Sequence, residues 1–127
     1  MDTKKKILLV EDDIALANVY KTRLEAENFD VRHVDNGEQA LTNAIEFHPD
    51  LVVLDVMMPK INGFDVLDLL RSTPETMNTR VILLTALSQA KDKEHAERLG
   101  ADDYLVKSQV VIGDVVDRIK HHLDIKD

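Results

Sequence analysis

Cysteine and tryptophan are absent from this chain, and aromatic residues make up only 4% of it. Without cysteine, disulfides and thiolate metal sites are excluded, which fits a reducing compartment. No apolar stretch approaches the ~20 residues needed to span a bilayer. The N-terminus lacks the apolar core of a signal peptide, so a cytoplasmic location is expected. Positive charge is also scarce: 16 basic residues face 24 acidic ones, for a net charge of −8. That balance argues against direct contact with nucleic acid, which needs clustered lysine and arginine. The only basic run, Lys4-Lys5-Lys6, reads as a solvated tail leading into the first strand. No linker, low-complexity tract or second domain is visible, and residues 1–127 read as one domain without an output module.

What the chain does have is a set of short apolar runs that stop on reactive side chains. Ile7-Leu8-Leu9-Val10 ends in Glu11-Asp12-Asp13, and Leu51-Val52-Val53-Leu54 ends in Asp55. Val81-Ile82-Leu83-Leu84 ends in Thr85, and Tyr104-Leu105-Val106 ends in Lys107. Such runs read as parallel strands buried on both faces. Phe29 to Val34 alternates apolar and polar, as an edge strand does. Between the runs lie helical stripes, among them Ala40, Leu41, Ala44 and Ile45, then Val66, Leu67 and Leu70, then Ile112, Val115, Val116, Ile119 and Leu123. Asn36-Gly37 marks a turn before the second helix, and Gly100 stands where a helix C-cap glycine belongs. Gly113 places the start of the last helix near itself, because a mid-helix glycine costs ~1 kcal/mol. The segment from Ala90 to Leu99 is mostly charged and has a poor apolar face, so it is expected to pack weakly. The β-α unit repeats about five times, which implies an α/β fold with a parallel sheet and helices on both faces.

In an open parallel sheet, ligands bind beyond the carboxyl ends of the strands. Glu11 and Asp12 therefore face Asp55, where bare carboxylates repel one another unless a cation intervenes. Oxygen-only ligands suit Mg²⁺, which commonly binds phosphate as well. Thr85 can donate a hydrogen bond to a phosphoryl oxygen, Lys107 can neutralise its charge, and a carboxylate can itself be the nucleophile. Asp13, just before an apolar helix, reads as an N-cap rather than a ligand.

The ordered motifs Ile7-Leu8-Leu9-Val10-Glu11-Asp12-Asp13, Asp55-Val56-Met57-Met58-Pro59-Lys60-Ile61-Asn62-Gly63, Leu83-Leu84-Thr85-Ala86 and Gly100-Ala101-Asp102-Asp103-Tyr104-Leu105-Val106-Lys107 resemble the receiver domain of two-component response regulators. The resemblance covers essentially the whole length. It implies a flavodoxin-like three-layer (βα)5 sandwich with strand order 2-1-3-4-5. It further implies that Asp55 accepts a phosphoryl group from a histidine kinase or a histidine phosphotransfer protein. Mg²⁺, or Mn²⁺ in its place, would be held by Asp12 and Asp55 directly, by Glu11 through water, and by the backbone carbonyl of Met57. Thr85 and Lys107 would hold the phosphoryl oxygens, and Tyr104 matches the aromatic switch residue coupled to Thr85. The responsive surface would be the fourth helix, fifth strand and fifth helix, spanning Ala90 to Leu123 and serving an effector or a homodimer. No enzyme in the ordinary sense is implied, only phosphoacceptor chemistry.

One departure concerns the residue after Lys107. The family usually has proline there, often in a cis peptide bond, whereas this chain has Ser108. The Lys107–Ser108 bond is thus either trans or strained, and the lysine could approach from a shifted loop. Rival readings are an aspartate-nucleophile phosphohydrolase, a flavin-binding electron carrier and a phosphorylation-independent binding module. The first needs an acid two residues after the nucleophile, where this chain has Met57. The second needs a hydroxyl-rich phosphate loop where Glu11-Asp12-Asp13 stands. The third is opposed by the intact acidic site.

Overall fold

The computed structural model describes residues 3–125, so positions 1, 2, 126 and 127 of the expected domain lie outside the described residues. Strands β1 (Lys6–Val10), β2 (Asp30–Val34), β3 (Leu51–Leu54), β4 (Arg80–Thr85) and β5 (Asp103–Val106) alternate with helices α1 (Ile14–Ala26), α2 (Gly37–Phe47), α3 (Gly63–Ser72), α4 (Ala90–Arg98) and α5 (Ile112–His122). All strand pairings are parallel, and the sheet order is β2-β1-β3-β4-β5. Successive strand residues point to opposite faces, so each strand feeds two cores. Leu8, Val10, Val52, Leu54, Val81 and Leu83 pack with α2, α3 and Ala96 of α4. Ile7, Leu9, Leu51, Val53, Ile82, Leu84 and Leu105 pack with α1 and α5. These are the layers of a flavodoxin-like sandwich.

Side-chain caps fix where the first three helices begin. Asp13, Asn36 and Asn62 accept the N–H groups of Leu16, Gln39 and Asp65 at 3.0–3.1 Å. Each cap supplies an acceptor that an exposed first turn would otherwise lack, a contribution of about 1 kcal/mol. Asp13 is thus a cap, as its sequence position suggests. Helix α4 differs: Gln89 gives it no side-chain cap, and Ala96 is its one buried residue. His95 adds an edge-on contact with the Phe64 ring of α3. The last helix begins at Ile112, which puts Gly113 in its first turn.

Lys6 corrects the view of the basic run as a solvated tail. It is the first residue of β1 and half-buried, with Nζ 3.3 Å from the Phe47 carbonyl and above the Phe47 ring. Lys4 and Lys5 are exposed. The long apolar stem of lysine explains the difference, since it can cover an aromatic face while its ammonium reaches a carbonyl.

Arg71 ties the end of the sheet opposite the strand carboxyl ends. Its guanidinium donates to the carbonyls of Gly100, Met77 and Thr79 and to the Asp102 carboxylate, which also accepts the Val81 N–H. One planar fork therefore joins α3, the loop before β4 and the turn before β5. Lysine has the charge but not the fork. Arg71→Lys is expected to lower stability by about 2 kcal/mol, read from urea unfolding. Among the described residues no helix is long and apolar enough to cross a membrane.

Candidate functional site: an acidic cluster at the carboxyl edge of the sheet

Three strands deliver the central groups. In register Val10 pairs with Leu54, so Glu11 and Asp55 emerge side by side as β1 and β3 end. The Asp55 N–H donates to the Val10 carbonyl at 3.1 Å, extending that pairing by one residue. Oxygens of Glu11, Asp12 and Asp55 lie within 4.8 Å of one another. Glu11 and Asp55 are buried, whereas Asp12 is exposed at the mouth. Lys107 arrives from the end of β5, inside a short 3-10 turn covering Lys107–Gln109. Its Nζ bridges the cluster, 2.7 Å from Glu11 Oε1 and 3.0 Å from Asp55 Oδ2. There is no cis peptide bond among the described residues, so Lys107–Ser108 is trans and the lysine still reaches its partners.

The remaining carboxylate oxygens are held by backbone. Asp55 Oδ1 accepts the Met57 N–H at 3.1 Å, and Glu11 Oε2 accepts the Asp13 N–H at 3.2 Å. Burial pushes the Glu11 carboxyl up to about 7; the Lys107 bond opposes this and the nearby Asp55 charge adds to it. Burial also disfavours the Lys107 ammonium, but its bonds to Glu11 and Asp55 outweigh that and raise its pKa above the ordinary value. The two shifts are compatible. One ammonium shared by two carboxylates is well stabilised, while at Glu11 burial outweighs the bond from that ammonium.

Thr85 is fully buried at the end of β4, paired in register with Val106. Its hydroxyl oxygen accepts the Leu87 N–H at 3.2 Å, and the Tyr104 hydroxyl donates to the Leu87 carbonyl at 2.8 Å. Thr85 and Tyr104 are thus linked through the two ends of one residue, a role that nothing in the sequence assigns to Leu87. Met57 directs its side chain to solvent, 55% exposed, beside the carboxylates. His33 is a further participant that sequence reasoning missed: its Nε2 lies 2.8 Å from the Glu11 carbonyl oxygen. On an edge strand, alternation alone gives no sign of such a bond.

Residues 7–120 match the family model described as the response regulator receiver domain. The chain belongs to the receiver domain family. Among similar receivers, the transcriptional regulatory protein CpxR of Escherichia coli is 49% identical over 102 residues, which is 80% of this chain and 42% of that protein. The DNA-binding dual master transcriptional regulator RpaA of Synechocystis sp. is 39% identical over 102 residues, again covering 80% and 42%. This chain therefore spans about two fifths of the length of the curated relatives it matches. Of solved receivers, that of the Francisella response regulator 1452 is 32% identical with a TM-score of 0.86, covering 94% of this chain and 96% of that one. The BeF3-activated receiver of Klebsiella pneumoniae RstA is 28% identical with a TM-score of 0.87, covering 94% and 98%. The strand order and flavodoxin-like layering expected from the sequence are those of this receiver.

Proposed function

We propose that Asp55 is the phosphoacceptor of a two-component or phosphorelay pathway, in a reaction that depends on Mg²⁺. The observation that carries this reading is the Lys107 ammonium held between two buried carboxylates, with a third carboxylate at the mouth. The donor set fits Mg²⁺: it is all oxygen, with carboxylate oxygens of Glu11, Asp12 and Asp55 within 4.8 Å of one another. Asp12, Asp55 and the Met57 carbonyl would hold the ion directly and Glu11 through water, with Mn²⁺ an acceptable substitute. When bound, the ion neutralises charge on the transferring phosphoryl group.

The chain's own residues do the rest. An Asp55 carboxylate oxygen attacks phosphorus as the bond from phosphorus to the donor histidine nitrogen breaks, and the imidazole leaves with the bonding electron pair. The Met57 N–H orients the carboxylate for this attack. Lys107 is already 3.0 Å from Asp55 Oδ2 and follows the new charge onto the phosphoryl oxygens. The Thr85 hydroxyl turns to donate to a phosphoryl oxygen. That turn loosens its hold on the Leu87 N–H and, through the Leu87 carbonyl, on Tyr104. Weakly packed α4 responds, shifting a pre-existing equilibrium rather than creating a new fold.

The face formed by α4, β5 and α5 would carry the result to an effector or to a second copy. Asp103 organises it. Burial pushes its carboxyl up, but bonds from His122, the Tyr104 N–H and Arg118 outweigh that and hold it below the usual range. The partner upstream would be a histidine kinase or a histidine phosphotransfer protein, in the cytoplasm. With a net charge of −8, any DNA contact of the kind named for RpaA would fall outside this segment.

The test is intact mass after incubation with acetyl phosphate, with and without Mg²⁺, for wild type and Asp55→Asn. The expected result is one added phosphoryl group that requires both Mg²⁺ and Asp55. No addition to the folded wild type would favour a phosphorylation-independent binding module instead.

A further inference from the structure

We propose that His33 is a positioning residue for the acidic turn, orienting Glu11 from the edge of the sheet through its main-chain carbonyl. In a parallel ladder, a residue facing its neighbour strand gives its N–H to one carbonyl there and takes the N–H two residues further on. The β1–β2 ladder begins with the Asp30 N–H on the Lys5 carbonyl and ends with the Glu11 N–H on the Val34 carbonyl. Its next rung would bring the Asn36 N–H to the Glu11 carbonyl. That rung is missing because the chain leaves the sheet after Val34, and Asn36 becomes the cap of α2.

The imidazole of His33 fills the gap, with Nε2 2.8 Å from the Glu11 oxygen. A carbonyl can only accept, so Nε2 carries the proton. Both main-chain polar groups of Glu11 are therefore held by β2. The carbonyl belongs to the Glu11–Asp12 peptide, and its orientation sets how Asp12 leaves the strand beside the Glu11 carboxylate. The two oxygens of that carboxylate are committed to Lys107 and to the Asp13 N–H. Without His33 the Glu11 carbonyl loses its partner while the N–H stays on Val34, so the Glu11–Asp12 peptide is less restrained and the approach of Asp12 to Glu11 and Asp55 loosens. The role rests on the reading of this cluster as a Mg²⁺ site.

Calorimetric titration of Mg²⁺ into wild type, His33→Leu and His33→Gln tests it. Leucine keeps bulk without a donor, and glutamine returns an N–H near the position of Nε2. The expected result is affinity weakened ~tenfold in His33→Leu and recovered in His33→Gln. A merely structural role would lower the urea midpoint of His33→Leu while leaving its Mg²⁺ affinity unchanged, and that outcome overturns the proposal. So does a glutamine variant as weak as the leucine one. Imidazole nitrogen NMR of the wild type gives a check that needs no substitution: the neutral ring should carry its proton on Nε2, and the Nδ1–H tautomer would sink the idea. If wild-type protein binds no Mg²⁺ at all, the metal reading itself fails, and with it the role of His33.

Discussion

Gly63→Ala is expected to cost about 3 kcal/mol of stability and to abolish Mg²⁺-dependent phosphoryl uptake. A Cβ at this position would overlap the Asp55 carbonyl oxygen and stand 2.7 Å from Val56 Cα and 2.8 Å from the Asp55 carbonyl carbon. All three are main-chain atoms of the segment that carries Asp55, so no side chain can swing aside. The Gly63 N–H also donates to the Val56 carbonyl at 2.8 Å, which holds the start of α3 against that segment. Either α3 must lift, losing the Gly63–Val56 bond that braces the Asp55 segment, or the Asp55 backbone must bend, displacing the carboxylate from Lys107. Gly113→Ala supplies the contrast, because a Cβ there meets only Arg23 Nη2, at 4.0 Å. In that first turn of α5, alanine is expected to stabilise by about 0.5–1 kcal/mol. Urea unfolding of the two variants should move in opposite directions, and equal midpoints would refute the steric account of Gly63.

The second large effect is expected for Lys107→Met. In chelator-treated protein it removes the ammonium bonded to two buried carboxylates, at a cost of about 3 kcal/mol near neutral pH. Added Mg²⁺ should return part of this by supplying positive charge to the same oxygens. The pH dependence has a definite sign. Glu11 is held up to about 7 in the folded protein against an ordinary 4.5, so between those values the native state binds a proton that the unfolded chain has lost. Stability of the metal-free wild type therefore falls as pH rises through that window, by roughly 3 kcal/mol at ~1.36 kcal/mol for each pH unit. Without Lys107 the Glu11 carboxyl rises further, and the decline should continue above pH 7. Urea midpoints measured in chelator from about pH 5 to 8 read both slopes. A flat wild-type profile would show that Glu11 is already fully ionised across the range.

Strand ends were the most legible feature of the sequence. A buried run can end on Glu11, Asp55, Thr85 or Lys107 only if those groups find partners beyond the sheet, and the register brings them to one edge. The Asp13 cap was legible for the same local reason, one residue before its helix, and Gly100 takes a φ of 93° after α4; Asn36, read from the sequence as part of a turn, also proves to cap α2. The bonds of Lys6, His33 and Arg71 were not legible. Each runs from a side chain to a main-chain oxygen left over where a helix, strand or turn ends, and that oxygen is placed by the path of distant segments. Ser108 sits between these cases. Its sequence raises the question of the peptide isomer, and the 3-10 turn answers it by letting a trans bond deliver Lys107.

The order β2-β1-β3-β4-β5 leaves two strands with an open side, and that bears on how copies of the chain behave when crowded. Edge strands are templates for uncontrolled sheet growth unless charge interrupts them. On β2 the exposed positions are Asp30 and Arg32, the latter lying over the Phe47 ring, while the His33 imidazole is engaged with Glu11. On β5 the first residue is Asp103, locked to Arg118 and His122. A second sheet laid against either edge would have to strip these charges of water or break their pairs. Pairing of copies strand to strand is thereby disfavoured, and concentrated solutions should stay clear of strand-to-strand aggregation.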